Sequence, residues 1–240
     1  MELSKRLAAV TGMVTNGNVV CDVGCDHGYV SIYLVKQGIS PRAIAMDVRK
    51  GPLSQAEQNI RMYGLSDYIE TRLSDGVDAL ENGEADTLIL AGMGGKLMES
   101  ILTRGWDKVI CMRELILQPQ SEIPLFRKFL RDSGFGIVTE NMVYEDEKFY
   151  PMMRVIPLMQ GVAEDTPQED NVLTDLYGGL LLKQRHPVLK QYLDFQNEKL
   201  TRLLKELTIT GRVSEKSRNR VEEVKKELFF NELAKKQYDI

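Results

Sequence analysis

The chain has 240 residues, of which 43% are hydrophobic and 28% charged, which suits one α/β domain of ordinary size plus a smaller appendage. A net charge of -4 excludes a uniformly basic nucleic-acid coat but is compatible with a local basic face. Cys21, Cys25 and Cys111, accompanied only by His27 and His186, form neither a disulfide framework nor a structural zinc pattern. Reduced thiols and no bound metal are therefore expected.

The opening residues lack the apolar core and cleavage pattern of a secretory signal. The longest apolar runs, such as Leu88 to Met93, are too short to span a bilayer, so the expected location is the cytoplasm, away from any membrane. Leu3, Leu7, Val10 and Val14 fall on one helical face. The next hundred residues alternate. Strands are predicted at 19–23, 43–47, 69–73, 86–91 and 114–118, and helices at 30–36, 53–62, 96–103 and 123–133. Repeated strand–helix units with short loops imply a parallel sheet covered on both faces. Residues 136–144 and 150–158 are β-rich, with Glu145 to Lys148 between them, and predict an antiparallel hairpin closing the sheet. The expected fold is α/β, a Rossmann-like seven-stranded sheet of the methyltransferase type.

Residues 160–171 are acidic and without periodicity, which places a domain boundary there, with domains at 1–160 and 161–240. Val188, Tyr192, Leu200, Leu203 and Leu207 mark one amphipathic helix, and Val221, Val224 and Leu228 a second. Thr210-Gly211 breaks the pattern between them, so a C-terminal helical hairpin resembling a short coiled coil is expected. Its apolar stripe is compatible with a monomer or a homodimer.

The first predicted strand runs into Asp22-Val23-Gly24-Cys25-Asp26-His27-Gly28. A nucleotide cofactor approaches the backbone closely at such a turn, and a β-carbon would obstruct it. Gly24 and Gly28 meet that need. The dinucleotide fingerprint requires glycine at 24, 26 and 29, but Asp26 and Tyr29 stand at the last two positions, so a dehydrogenase ranks last. A carboxylate at 26 opposes a pyrophosphate but suits the sulfonium and amino groups of S-adenosylmethionine. Asp47 ends the second strand, placed to accept hydrogen bonds from ribose hydroxyls. Asp75-Gly76 follows the third strand and is placed for the adenine amino group. Each aspartate also suits a helix cap, but three at successive strand ends on one sheet edge favour a ligand.

The fourth strand ends in Ala91-Gly92-Met93-Gly94-Gly95, whose small residues leave room for a flat acceptor beside the transferable methyl group. Gln118-Pro119-Gln120 closes the fifth strand on the same edge. The residues expected to bind cofactor are Asp22, Gly24, Cys25, Asp26, His27, Gly28, Asp47, Asp75, Gly76, Ala91, Gly92 and Met93. Asp26 is the candidate for stabilising charge that moves onto the acceptor, and Tyr29 for stacking nearby.

Together these residues resemble the bacterial tRNA adenine-22 N1-methyltransferase family, TrmK. The resemblance rests on Leu3-Ser4-Lys5-Arg6-Leu7, the loop from Asp22 to Gly28, Asp75-Gly76, Gly92-Met93-Gly94-Gly95, Leu117-Gln118-Pro119-Gln120 and His186-Pro187. It implies S-adenosylmethionine-dependent methylation of N1 of an adenine in tRNA, with the C-terminal helices helping to hold the RNA. From Lys183 onward there are 14 Lys and Arg against 9 Asp and Glu, a local excess that suits phosphate contacts. The residues expected to meet substrate are Arg6, Gly94, Gly95, Gln118, Lys183, Arg185, Arg212 and Arg218. Lys190, Lys216 and Arg220 are further cations of the tail. Two other readings follow from the residues alone: a methyltransferase for a protein or small molecule, and a nucleotide-binding interaction protein without catalysis.

Overall fold

The computed structural model describes residues 1–158, 168–209 and 215–238. In chain order the elements are α1 (Lys5–Thr11), β1 (Val20–Val23), α2 (Tyr29–Lys36), β2 (Ala43–Asp47), α3 (Lys50–Met62), β3 (Ile69–Leu73), β4 (Thr87–Met93), α4 (Gly95–Arg104), α5 (Trp106–Val109), β5 (Glu114–Pro119), α6 (Ile123–Asp132), β6 (Phe135–Glu145), β7 (Lys148–Pro157), α7 (Gln168–Tyr177), α8 (Gly179–Lys183), α9 (Pro187–Ile209) and α10 (Glu215–Lys235). The chain divides into two compact units, Met1–Asp165 and Thr166–Ile240.

In the first unit seven strands form one sheet in the order β3-β2-β1-β4-β5-β7-β6. The strands β1 to β5 pair in parallel, and β7 reverses direction against β5. Every residue of β1, β2 and β5 is buried. Such continuous burial is what a sheet covered on both faces demands. One core cluster, including Leu88, Leu115 and Phe126, packs on one face, and another, including Ile32, Ile60 and Ile89, packs on the other. The reversed ribbon β6–β7 is joined to α6 by a buried ion pair, Arg127 to Glu140 at 3.0 Å. Its two-residue turn holds Asp146 and Glu147 at φ 48° and 59°, the left-handed conformation that a tight hairpin turn requires.

The sheet order places the switch between β1 and β4: from β1 the chain winds outward to β2 and β3, then returns to β4. A crevice opens at the carboxyl ends of strands at such a point.

In the second unit α9 and α10 run antiparallel. Asn197 Nδ2 donates to Asn231 Oδ1 at 2.9 Å, and Lys235 reaches Asp194 at 2.7 Å. The expected hairpin is therefore present. The expected break at Thr210-Gly211 and most of the expected boundary segment lie outside the described residues. Residues 168–171 of that segment instead begin α7, a helix that the acidic, aperiodic sequence did not announce. The helix expected to reach Val14 stops at Thr11, where Gly12 caps it, although Val14 is still buried. The short helices α5 and α8 were also not expected.

Candidate functional site

The loop after β1 is tied down by the neighbouring strand. The amides of Gly24 and Cys25 both donate to the Met46 carbonyl, at 2.8 and 2.9 Å. Gly24 sits at φ +72°, and a β-carbon there would lie 2.3 Å from the Met93 methyl group. Gly28, at φ +74°, starts α2 and faces Ala56. Its glycine serves helix entry and packing, and it does not line the crevice.

Four aspartates converge on the crevice, in distinct states. Asp22 is buried and accepts a bond from Ser31 Oγ at 2.9 Å. Burial pushes its carboxyl up to about 6. Asp47 is also buried, and its Oδ1 accepts the Arg49 amide at 2.8 Å. Its other oxygen receives the Asp26 amide at 3.4 Å. Asp26 itself is exposed, at φ +50°, with His27 Nε2 3.6 Å from its carboxylate. The Tyr29 ring is 5.9 Å from the His27 ring. Asp75 is gripped by both terminal nitrogens of Arg104, at 2.8 and 2.9 Å. Those bonds hold its carboxyl below the usual range. The sequence pattern pointed to Asp75 but not to the arginine that fixes its orientation.

These groups line one cavity of about 460 Å³ at the switch point, a size suited to a cofactor-sized ligand. Of the residues expected to bind cofactor, all except Gly28 line it. Asp26, Tyr29 and Arg6 line it as well. Ser74, Val48, Leu97 and Gln120 also contribute, though the sequence pattern assigned them no role at the cofactor. Val48 and Ser74 adjoin residues already singled out, Gln120 ends the Gln118-Pro119-Gln120 segment, and Leu97 carries no signal in the sequence.

Gly94, Gly95 and Gln118 do not line the cavity. A β-carbon on Gly95 would lie 2.7 Å from the Ser121 carbonyl, and one on Gly94 2.9 Å from Ser121 Oγ. These glycines let α4 pack against the loop after β5. Gln118 is fully buried and accepts a bond from Arg6 Nη1 at 2.9 Å. In the second unit Lys183, Arg185 and Arg218 are exposed, while Arg220 is held by Glu223 and Glu227. Arg212 lies outside the described residues.

Burial raises the Cys25 and Cys21 thiols far above their ordinary range, so neither is a thiolate nucleophile at neutral pH. Among the described residues no three His, Cys, Asp or Glu side chains are grouped to hold a metal ion. No helix among them is long and apolar enough to cross a membrane.

The donor set fits S-adenosylmethionine. Acidic groups dominate the wall and suit an ammonium, a sulfonium and ribose hydroxyls; a diphosphate would meet repulsion at Asp26. The missing β-carbon of Gly24 makes room for the Met93 methyl group in the cavity wall.

A parallel sheet with a reversed ribbon and an acidic cavity at its switch point defines a Rossmann-like methyltransferase. The family described as a methyltransferase domain matches residues 3–153. The chain is 36% identical over 153 residues to the tRNA (adenine(22)-N(1))-methyltransferase of Bacillus subtilis, a match covering 64% of each chain. The crystal structure of B. subtilis TrmK superposes with a TM-score of 0.84 at 27% identity, covering 97% of this chain and 98% of that one. A Streptococcus pneumoniae protein described as a candidate tRNA (m1A22) methyltransferase, solved with S-adenosyl-L-methionine, gives a TM-score of 0.78 at 32% identity, covering 95% of this chain and 100% of that one. The chain belongs to the TrmK family of methyltransferases.

The raised Asp22 carboxyl gives a pH-dependent expectation. The native state holds this proton more tightly than the unfolded chain does. The associated stability is complete below about pH 4 and is lost as pH rises through about 6. Asp22→Asn, neutral at every pH, is expected to raise the Tm at about pH 7.5 and leave it unchanged near pH 4. Thermal unfolding at the two pH values checks this; an equal shift at both would show that burial of charge is not the cause.

Proposed function

We propose that this protein transfers the methyl group of S-adenosylmethionine to N1 of adenine 22 in tRNA. The observation that carries the reading is the cavity at the β1–β4 switch point, with four aspartates on one side and the exposed Gly92 backbone on the other. The matched relatives support it: one is named for this reaction, and one was solved with this cofactor.

The cofactor, when bound, supplies an electrophilic methyl group on a sulfonium. Asp47 would accept hydrogen bonds from its ribose hydroxyls, Asp75, held by Arg104, would stand on its adenine side, and the loop after Asp22 would hold its amino-acid end. Neutral adenine has an in-plane lone pair on N1 and needs no base to remove a proton. The protein's work is therefore alignment and electrostatics. Positive charge moves from sulfur to the base during transfer, and the exposed Asp26 carboxylate is placed to stabilise it. Tyr29 supplies a ring beside the entering base. An adenine within a folded tRNA must leave its stack to enter the cavity. Residues 1–160 form the catalytic domain, and residues 161–240 contact the tRNA through Lys183, Arg185, Arg212 and Arg218. The protein acts in the cytoplasm.

The test is incubation with unmodified bacterial tRNA and methyl-labelled cofactor, followed by digestion to nucleosides. Label in 1-methyladenosine is expected. Unlabelled RNA from a protein that still binds cofactor would reject the reading and favour a protein or small-molecule acceptor.

A further inference from the structure

The ribbon β6–β7 outruns the strand beside it. Pairing of β7 with β5 ends at Leu117 opposite Met153, but pairing within the ribbon continues to Glu145 opposite Lys148. Continuing the first register puts Pro119 beside Pro151, so the ribbon tip projects about 10 Å past the end of β5. That tip stands on the cavity side of the sheet, because β5 runs toward the cavity edge.

Glu145, at the tip, reaches a segment 140 residues away in sequence. Its Oε1 accepts the Lys5 amide at 2.6 Å and its Oε2 the Arg6 amide at 3.1 Å. These are the first two amides of α1, which have no partner inside the helix. Ser4 Oγ takes a third, from Leu7, at 3.3 Å. A carboxylate here also complements the positive end of the helix. The ribbon tip thus fixes where α1 begins, and with it where Arg6 stands.

The Arg6 side chain crosses to the cavity. Its guanidinium donates to Gln118 Oε1 at 2.9 Å and lies 5.6 Å from the centre of the Tyr150 ring. Gln118 cannot easily turn, since it is buried and its Nε2 donates to the Pro119 carbonyl at 3.1 Å. Arg6 Nη1 lies 3.4 Å from where a Gly92 β-carbon would sit, with Gln120 Nε2 at 3.5 Å from the same point. Gln118 and Tyr150 are electrically neutral; among the described residues the guanidinium forms no ion pair, and Glu145 is an acidic group that acts on it through space. A cation beside an acceptor base that becomes positive on methylation opposes the reaction, and an oxyanion of the acceptor seated on Arg6 would offset that cost.

We infer that Arg6 is the receptor for a phosphate of the acceptor nucleotide and that Glu145, acting through α1, is the residue that positions it. The inference rests on the reading that RNA is the acceptor. A guanidinium fork suits a phosphate, and neutral partners leave its charge available. The same chemistry would suit the cofactor's carboxylate, so the experiment must separate the two oxyanions.

The experiment compares wild type, Arg6→Met, Glu145→Ala and the double variant. For each, cofactor affinity is measured by calorimetry, and tRNA affinity is measured directly at several salt concentrations. Arg6→Met is expected to weaken tRNA binding about tenfold or more and to reduce the salt slope by about one, with cofactor affinity unchanged. Glu145→Ala is expected to weaken tRNA binding about fivefold. In the Arg6→Met background it should add nothing, because its effect runs through Arg6. Additive losses would overturn the positioning role. A fall in cofactor affinity with an unchanged salt slope would assign Arg6 to the cofactor's carboxylate and overturn the phosphate assignment. Failure of the wild-type protein to bind or methylate tRNA would instead reject the function proposed above, a result separable from both.

Discussion

Gly24→Ala is expected to weaken S-adenosylmethionine binding on the order of a hundredfold while the fold persists. Two effects add. At φ +72° an alanine is strained by about 1–2 kcal/mol, and the loop either relaxes out of its binding conformation or carries that strain when cofactor binds. The new β-carbon would also lie 2.3 Å from the Met93 methyl group. Met93 is flexible enough to move, but it lines the cavity, so displacement brings its side chain into ligand space. An intruding methyl group costs about 1–3 kcal/mol of binding. Calorimetric titration of the variant checks the total. Met93→Ala in the same chain should restore part of the loss, because it removes the collision and leaves the backbone strain. No restoration would show that strain alone is at work.

Arg127→Ala is expected to produce the largest loss of stability, about 3–5 kcal/mol. Arg127 on α6 and Glu140 on β6 have side chains only 3% and 1% exposed. Removing the arginine takes from this carboxylate the guanidinium that binds it at 3.0 Å, in a site that water does not reach. The pair itself contributes little against an apolar replacement, so Arg127→Met with Glu140→Leu should recover most of the loss. Urea denaturation of the three chains checks this. A loss below about 1 kcal/mol in Arg127→Ala would mean that the site opens to solvent.

The central strands were legible because the sheet is covered on both faces there: the run Ala43–Asp47 is wholly buried and begins and ends where the structure begins and ends it. The edge strand Ile69–Leu73 also matches in extent, although only Ile69 is buried. The ribbon was legible from its β-rich halves around an acidic turn. The helices α5 and α8 are 4 and 5 residues long and too short to show a period. At the site, residues that follow parallel strands could be found by position, since topology brings those ends together. Contacts between distant segments could not. Nothing near Glu145 announces that it caps α1, and nothing near Asp75 announces Arg104. The glycines at 94 and 95 were read as space for a base; their β-carbons would instead meet Ser121, a constraint set by the loop after β5.

Under the proposed function, one adenine position in tRNA receives the methyl group. Two transcripts of a single tRNA, one with adenine and one with guanine at position 22, test it directly. After incubation with protein and S-adenosylmethionine, reverse transcription reads the modified base as a stop, because methylation at N1 blocks base pairing. A stop at position 22 in the adenine transcript and none in the guanine transcript is expected. Equal modification of both transcripts, or a stop elsewhere in both, would contradict it.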